Sequence, residues 1–350
     1  MWSLPSLESQ PAPDREALGQ PDSMVLVIPR LKKENTTWLD DLPHPVSTAI
    51  YVADDLSAPL HPPKNKGNEA MIYLTYIIDH YDTLPAVILF LHNHRTAWHN
   101  NDLLNHDIAE SLRRLNYHRL ARSHGYMNLR CHWDPGCPAW LHPGATAEVP
   151  DRKEELFIAR AFSELFPLTD IPQTLAQPCC SQMAVTREVI QRTPRGRWIF
   201  FRDWLLRTSI RDSMSGRIWE YLWQVVFAGE SEVCPAMHAC YCDGYGVCFE
   251  DDEEFGRWFE VRWRMQGLER ELAGWFRENR EVWEGGMNGA VTRWEDLEFP
   301  AESRERWLKD EVGRLRNELG SGRRVALERG MDPRIRAEVS GREYKAGDGF

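Results

Sequence analysis

Residues 92–102 read HNHRTAWHNND and bring His92, His94, His99 and Asp102 into one short stretch. The stretch follows the apolar run Ala86–Leu91, whose continuous hydrophobicity predicts a buried strand. Side chains at i and i+2 of a strand share a face, so His92 and His94 can converge on one ligand, and a short loop can return His99 towards them. Neutral imidazoles bind divalent transition metals, and three of them with one open position make a catalytic zinc-like site. A metal-free polar substrate site is an equally open reading. A third is a structural network in which Asn93, Asn100 and Asn101 bond the loop and Asp102 caps a helix. Arg95 and Trp98, in the same stretch, are candidates for substrate contact.

Asp54 and Asp55 follow a second β-branched, aromatic run, Thr48–Ala53. Carboxylates at a strand end can hold Mg²⁺ or Mn²⁺ or bond ribose hydroxyls; a solvated turn is the plainer alternative. Residues 65–69, NKGNE, precede a predicted helix, where free N–H groups and the dipole favour phosphate, and Lys66 and Glu69 join the candidate site. The single glycine there rules out a Walker-type loop, so capping competes with phosphate binding. Arg217 and Glu220 lie three apart on a predicted buried helix and can pair. A carboxylate in such a place can act as a general base, its pKa set by the arginine and by desolvation.

The cysteines are Cys131, Cys137, Cys179, Cys180, Cys234, Cys240, Cys242 and Cys248. An even number in one region suggests disulfides. The Cys234–Cys248 spacing lacks paired zinc knuckles and suggests two bridges, with His238, Cys240 and Cys242 as a lesser metal option. Cys179 and Cys180, being adjacent, are each expected to bond a distant partner.

The elements that must position these groups alternate. Met24–Pro29 and Thr48–Ala53 predict strands, helical spacing follows from Asn68 to Tyr81, and the Ala86–Leu91 strand comes next. Asp102 is placed to cap a helix running to about Leu115. Arg152–Leu165, Ile199–Thr208, Ser213–Phe227, Glu254–Phe276 and Ser303–Leu319 predict further helices, the last ended by Gly320. Alternating strands and helices imply a mostly parallel, Rossmann-like sheet flanked by helices. The division expected is a flexible leader over 1–23, an α/β domain over 24–250, helices packing on it over 251–320, and a mobile tail over 321–350.

A net charge of −11 argues against nucleic acid or an anionic membrane as the main partner. Hydrophobic content of 42% is ample for a core, and burial is the expected fate of the tryptophans concentrated from Trp198 onward. No run is long and apolar enough to cross a bilayer. The first residues lack the basic and apolar regions of a secretory signal, which points to the cell interior, whereas the clustered thiols point to a secretory origin.

Five blocks occurring in order, NKGNEAMIYLTYIIDHYDTLP, FLHNHRTAWHNND, NLRC with GCP, PCCSQMAVTREVI, and SGRIWEYLWQVVF with its downstream CP and CxCDGYGxC, resemble an uncharacterised fungal family of unknown function over roughly residues 24–248. The blocks in turn look like parts of GT-A-type glycosyltransferases. That resemblance implies a GT-A-like fold, a sugar-nucleotide donor, and Mn²⁺ or Mg²⁺ at an acidic strand-end motif. Here the strand-end pair is His92 and His94, which favours softer metals such as zinc, with Asp54 and Asp55 left to supply carboxylates. Members of the family often carry a membrane anchor ahead of the domain. The leading expectation is a glycosyltransferase-like enzyme with Glu220 as base and Asp54, Asp55, Lys66, Glu69, Arg95, Trp98, Asp102 and Arg217 against substrate. The alternatives are a His-ligated metal-dependent enzyme of fungal secondary metabolism and a non-catalytic protein with a degenerate transferase pocket.

Overall fold

The apolar runs that suggested strands do form them. In the computed structural model, which describes residues 24–42, 46–278 and 303–346, β1 is Met24–Arg30 and β2 is Ser47–Val52. The leader expected over 1–23 and the last residues, 347–350, lie outside the described residues. Helix α1 (Glu69–His80) follows, then β3 (Val87–Phe90), α2 (Ile108–Arg114), α3 (Tyr117–Arg122) and β4 (Tyr126–Asn128). After α4 (Glu155–Leu165) come β5 (Met183–Thr186), α5 (Arg187–Arg192), α6 (Arg195–Arg207), α7 (Asp212–Glu220), α8 (Trp223–Ala228) and α9 (Met237–Tyr245).

The five strands make one sheet in the order β2-β1-β3-β5-β4. β1 pairs parallel with β2 and β3, while β5 pairs antiparallel with both β3 and β4. The sheet is therefore mixed rather than mostly parallel. The cause is the long excursion over 129–182, which leaves the end of β4 and returns at the same sheet edge, so β5 must run back against its neighbours. Phe90 and Asn128 both sit opposite Met183, so Leu91–His94, Leu129–Arg130 and the residues entering β5 all gather at that edge.

One face of the sheet carries α1 and a tryptophan-rich core. Trp198, Trp219 and Trp223 are fully buried, the last two with ring centroids 4.8 Å apart. Truncating a side chain of this kind costs about 3–5 kcal/mol. The helix expected over Ser213–Phe227 is broken into α7 and α8 around Tyr221 and Leu222. Gly216 lets α7 press on the start of α1, because a Cβ there would overlap the Asn68 side chain.

Asp102 does not cap a helix; it starts a short 3-10 turn, and the cap of α2 is Asp107, whose carboxylate accepts from Ala109 and Glu110 N–H. Cys179 and Cys180 do not seek distant partners but bond each other, with Cα atoms 3.7 Å apart. Adjacent residues can close this way where the backbone turns sharply, and Cys180 and Ser181 take φ of 85° and 50°. Cys131–Cys240 and Cys137–Cys234 tie the 129–182 excursion to the segment around α9, and no cysteine is left free.

Residues Gly246–Tyr344 form a second unit. Its α10 (Asp252–Glu278) and α11 (Arg304–Arg329) lie antiparallel, bridged by Arg264–Glu311 at 2.7 Å and Arg304–Glu271 at 2.9 Å, and α12 (Pro333–Val339) follows. Gly320 does not end α11. Buried Leu308, Val312, Leu315, Leu319 and Ala326 continue one apolar stripe past it, and that packing outweighs the roughly 1 kcal/mol cost of a helical glycine. Among the described residues no helix is long and apolar enough to cross a membrane.

The bridges should differ sharply in what they contribute to stability. Cys131–Cys240 closes a 109-residue separation, which in the chain-entropy account contributes about 5 kcal/mol, whereas an adjacent pair contributes only about 1 kcal/mol. Urea denaturation of Cys131→Ala/Cys240→Ala and of Cys179→Ser/Cys180→Ser checks this. Equal losses would contradict it.

Candidate active site

The carboxyl ends of β3 and β4 and the entrance to β5 bring together the groups with chemical potential. The segment Gln177–Gln182 is the centre of this edge. Asn128 Nδ2 donates to Pro178 O at 2.6 Å, Leu129 N to Gln182 O at 2.9 Å, and Gln182 Nε2 to Asn100 Oδ1 at 2.9 Å. His92 N donates to Gln182 Oε1 at 3.2 Å, and its Nε2 lies 2.7 Å from Cys180 O, where a protonated Nε2 donates.

Glu220, at the end of α7, is half-buried at this edge. Burial and the nearby Glu69 raise its pKa to about 8, against the opposing pull of Arg217 and of a backbone hydrogen bond from Cys180. Glu69 opens α1, and its Oε1 is buried without a hydrogen-bond partner. The pairing expected between Arg217 and Glu220 does not form. Arg217 Nε instead meets Glu154 Oε2 at 2.9 Å, and its Nη2 donates to Asp151 O at 2.6 Å. Glu154, fully buried, has its own pKa raised by desolvation and was not visible from helical spacing. With its arginine drawn off, Glu220 keeps a high proton affinity.

The imidazoles divide. His92 and His99 are neighbours, with ring centroids 4.7 Å apart. His94 is exposed, its Nε2 3.8 Å from Glu34 Oε1. His99 has a buried Nε2 with no hydrogen-bond partner, and burial, reinforced by the charges of His92 and Arg130, lowers its pKa to about 3. Among the described residues no three His, Cys, Asp or Glu side chains come together as a metal-holding group. A guanidinium beside His99 also disfavours a cation there.

The other expected residues sit apart or are already engaged. Asp54 accepts from Lys32 N at 2.7 Å, and Asp55 pairs with Lys32 Nζ at 2.8 Å, which holds the Asp55 carboxyl far below the usual range. They follow β2, which is separated from β3 by β1 in the sheet. Lys66 reaches Asp212 at 3.2 Å, and Arg95 is held by Asp41 at 2.6 Å and Asp107 at 3.1 Å. Asp102, its side chain buried, lies 3.6 Å from His106 Nε2 and 3.9 Å from His132 Nδ1. Trp98 is 63% exposed, and the Arg130 guanidinium lies 5.3 Å from its ring.

Residues 26–243 match the family model described as "Protein of unknown function (DUF3431)". The chain belongs to that family. The DUF3431 region runs from β1 into α9 and so contains every group of this edge. No curated protein and no solved structure matches the chain.

The raised Glu220 pKa has a thermodynamic signature. A carboxyl near 4.5 when unfolded and about 8 when folded contributes stability that is complete below the lower value and lost as pH rises through the upper one. Glu220→Gln removes that dependence. Its melting temperature relative to the parent should therefore climb between about pH 5 and about pH 9; a constant difference would contradict the assignment.

Proposed function

We propose that this chain is a glycosyltransferase-like enzyme that moves a sugar from a nucleotide donor to a hydroxyl acceptor, with Glu220 as general base. The observation that carries the reading is a half-buried carboxyl at the carboxyl edge of the sheet with its pKa raised to about 8. A base is most effective when its pKa lies near the working pH, and one so placed contributes about 10²–10⁴-fold.

The roles follow from the contacts. Glu220 would take the acceptor hydroxyl proton as that oxygen attacks the sugar carbon and the nucleoside diphosphate departs. Glu69 and burial keep the base strong, and the Cys180 backbone orients it. Glu154 holds Arg217 off, so no direct ion pair weakens the base. The parallel part of the sheet, β2-β1-β3, supports a GT-A-like arrangement in which donor and acceptor meet at the carboxyl edge. The disulfides favour an oxidising compartment.

The full chain should release nucleoside diphosphate from a UDP- or GDP-sugar in the presence of a hydroxyl acceptor. Glu220→Gln should lower kcat at least about 100-fold, and parental kcat/KM should rise with pH towards a limb near 8. A variant as fast as the parent would overturn the role. Nucleotide binding without turnover would assign a non-catalytic pocket instead.

A further inference from the structure

Arg130 is nine-tenths buried just beyond β4, and its charge lacks a close counter-ion. Its Nη1 donates to Cys179 Sγ at 2.7 Å and lies 3.9 Å from Cys180 Sγ, while Nη2 donates to Asp134 O at 2.6 Å. Sulfur is a weak acceptor, and the Nε–H is buried with no acceptor at all. Among the described residues no carboxylate lies within ion-pair distance of this guanidinium. Asp102 and Asp134 favour its charge from farther away, and Asp102 already faces His106 and His132. A buried cation held by a sulfur, a carbonyl and one aromatic face, with no counter-ion beside it, is costly to a fold unless something else answers its charge.

The surroundings say what that could be. The outer face of the guanidinium is covered by the indole of Trp98, which is itself mostly exposed, so the cover belongs to the surface rather than the core. Next to it stands His99, whose buried Nε2 lacks a partner and can give or take one hydrogen bond. The vicinal disulfide meets the guanidinium at its edge, where Nη1 donates to Cys179 Sγ. A planar fork of N–H donors matches phosphate oxygens, and a neutral imidazole adds a hydrogen-bonding group without adding charge.

We propose that Arg130 is the seat of an oxyanion site that takes a diphosphate group, with Trp98 as its movable cover and His99 as a second polar contact. The proposal deepens the transferase reading and rests on it for naming the anion: Arg130 would balance the charge of the departing diphosphate.

The probes are inorganic pyrophosphate, UDP and uridine, titrated calorimetrically into the full oxidised chain in EDTA. Pyrophosphate and UDP should bind one to one, and uridine at least tenfold more weakly than UDP. Arg130→Gln should weaken pyrophosphate at least tenfold, with Arg130→Lys between it and the parent. Because Arg130→Gln can disturb folding, Trp98→Phe, at an exposed position, is the second test. Pyrophosphate should change the tryptophan emission of the parent, and the change should vanish in Trp98→Phe. Undiminished pyrophosphate affinity in a folded Arg130→Gln, equal binding of uridine and UDP, or an emission change that survives in Trp98→Phe would each overturn the site. Sugar-nucleotide turnover with an unaffected Arg130→Gln defeats this proposal alone; pyrophosphate held at Arg130 without turnover defeats the transferase reading alone.

Discussion

The short segment entering β5 is the constraint on which the edge depends. Gln177 to Gln182 is cross-linked to itself through Cys179–Cys180 and hydrogen-bonded to the ends of β3 and β4. One residue within it faces both ways: the Cys180 backbone supports Glu220 on one side and receives His92 on the other. A bridge between adjacent residues removes little chain entropy, so its role lies in holding this backbone rather than in global stability. The long bridges from Cys131 and Cys137 do the complementary task of holding the excursion that delivers the segment.

Electrostatics at the edge follow from close packing. The absence of a side chain at Gly216 brings α7 against Asn68, and with it Glu220 towards Glu69, the next residue along. Removal of water makes ionisation of Glu220 costly, and the neighbouring Glu69 adds to that cost. A neighbouring arginine would normally cancel the effect. Here Glu154, buried and itself short of other partners, claims that arginine. The same edge holds a positive element, Arg130, against the vicinal disulfide.

Much of this was legible in the residues. The apolar runs marked β1, β2 and β3 and helical spacing marked α1; of the tryptophans expected to be buried, Trp198, Trp204, Trp219 and Trp223 are, whereas Trp263 and Trp307 are exposed. Glu220 stood out because a carboxylate on an otherwise apolar helix needs a reason. What could not be read was long-range. The direction of β5 depends on where a 129–182 excursion returns, which no local pattern encodes. Arg217 turned to Glu154 because a residue distant in sequence was nearer than its helical neighbour. The bond within Cys179–Cys180 depends on positive φ at two non-glycine residues, which adjacency alone does not announce. Of His92, His94 and His99, conspicuous by type, His92 and His99 face each other while His94 is exposed.

The proposed chemistry depends on the ionisation of one carboxyl, that of Glu220. Carbon-13 NMR of the glutamate side-chain carboxyls, followed through a pH titration of the folded chain, observes it directly. One resonance should titrate near 8 and disappear in Glu220→Gln. If every glutamate carboxyl titrates in the ordinary acidic range, below about pH 6, the base is not there and the proposed chemistry fails with it.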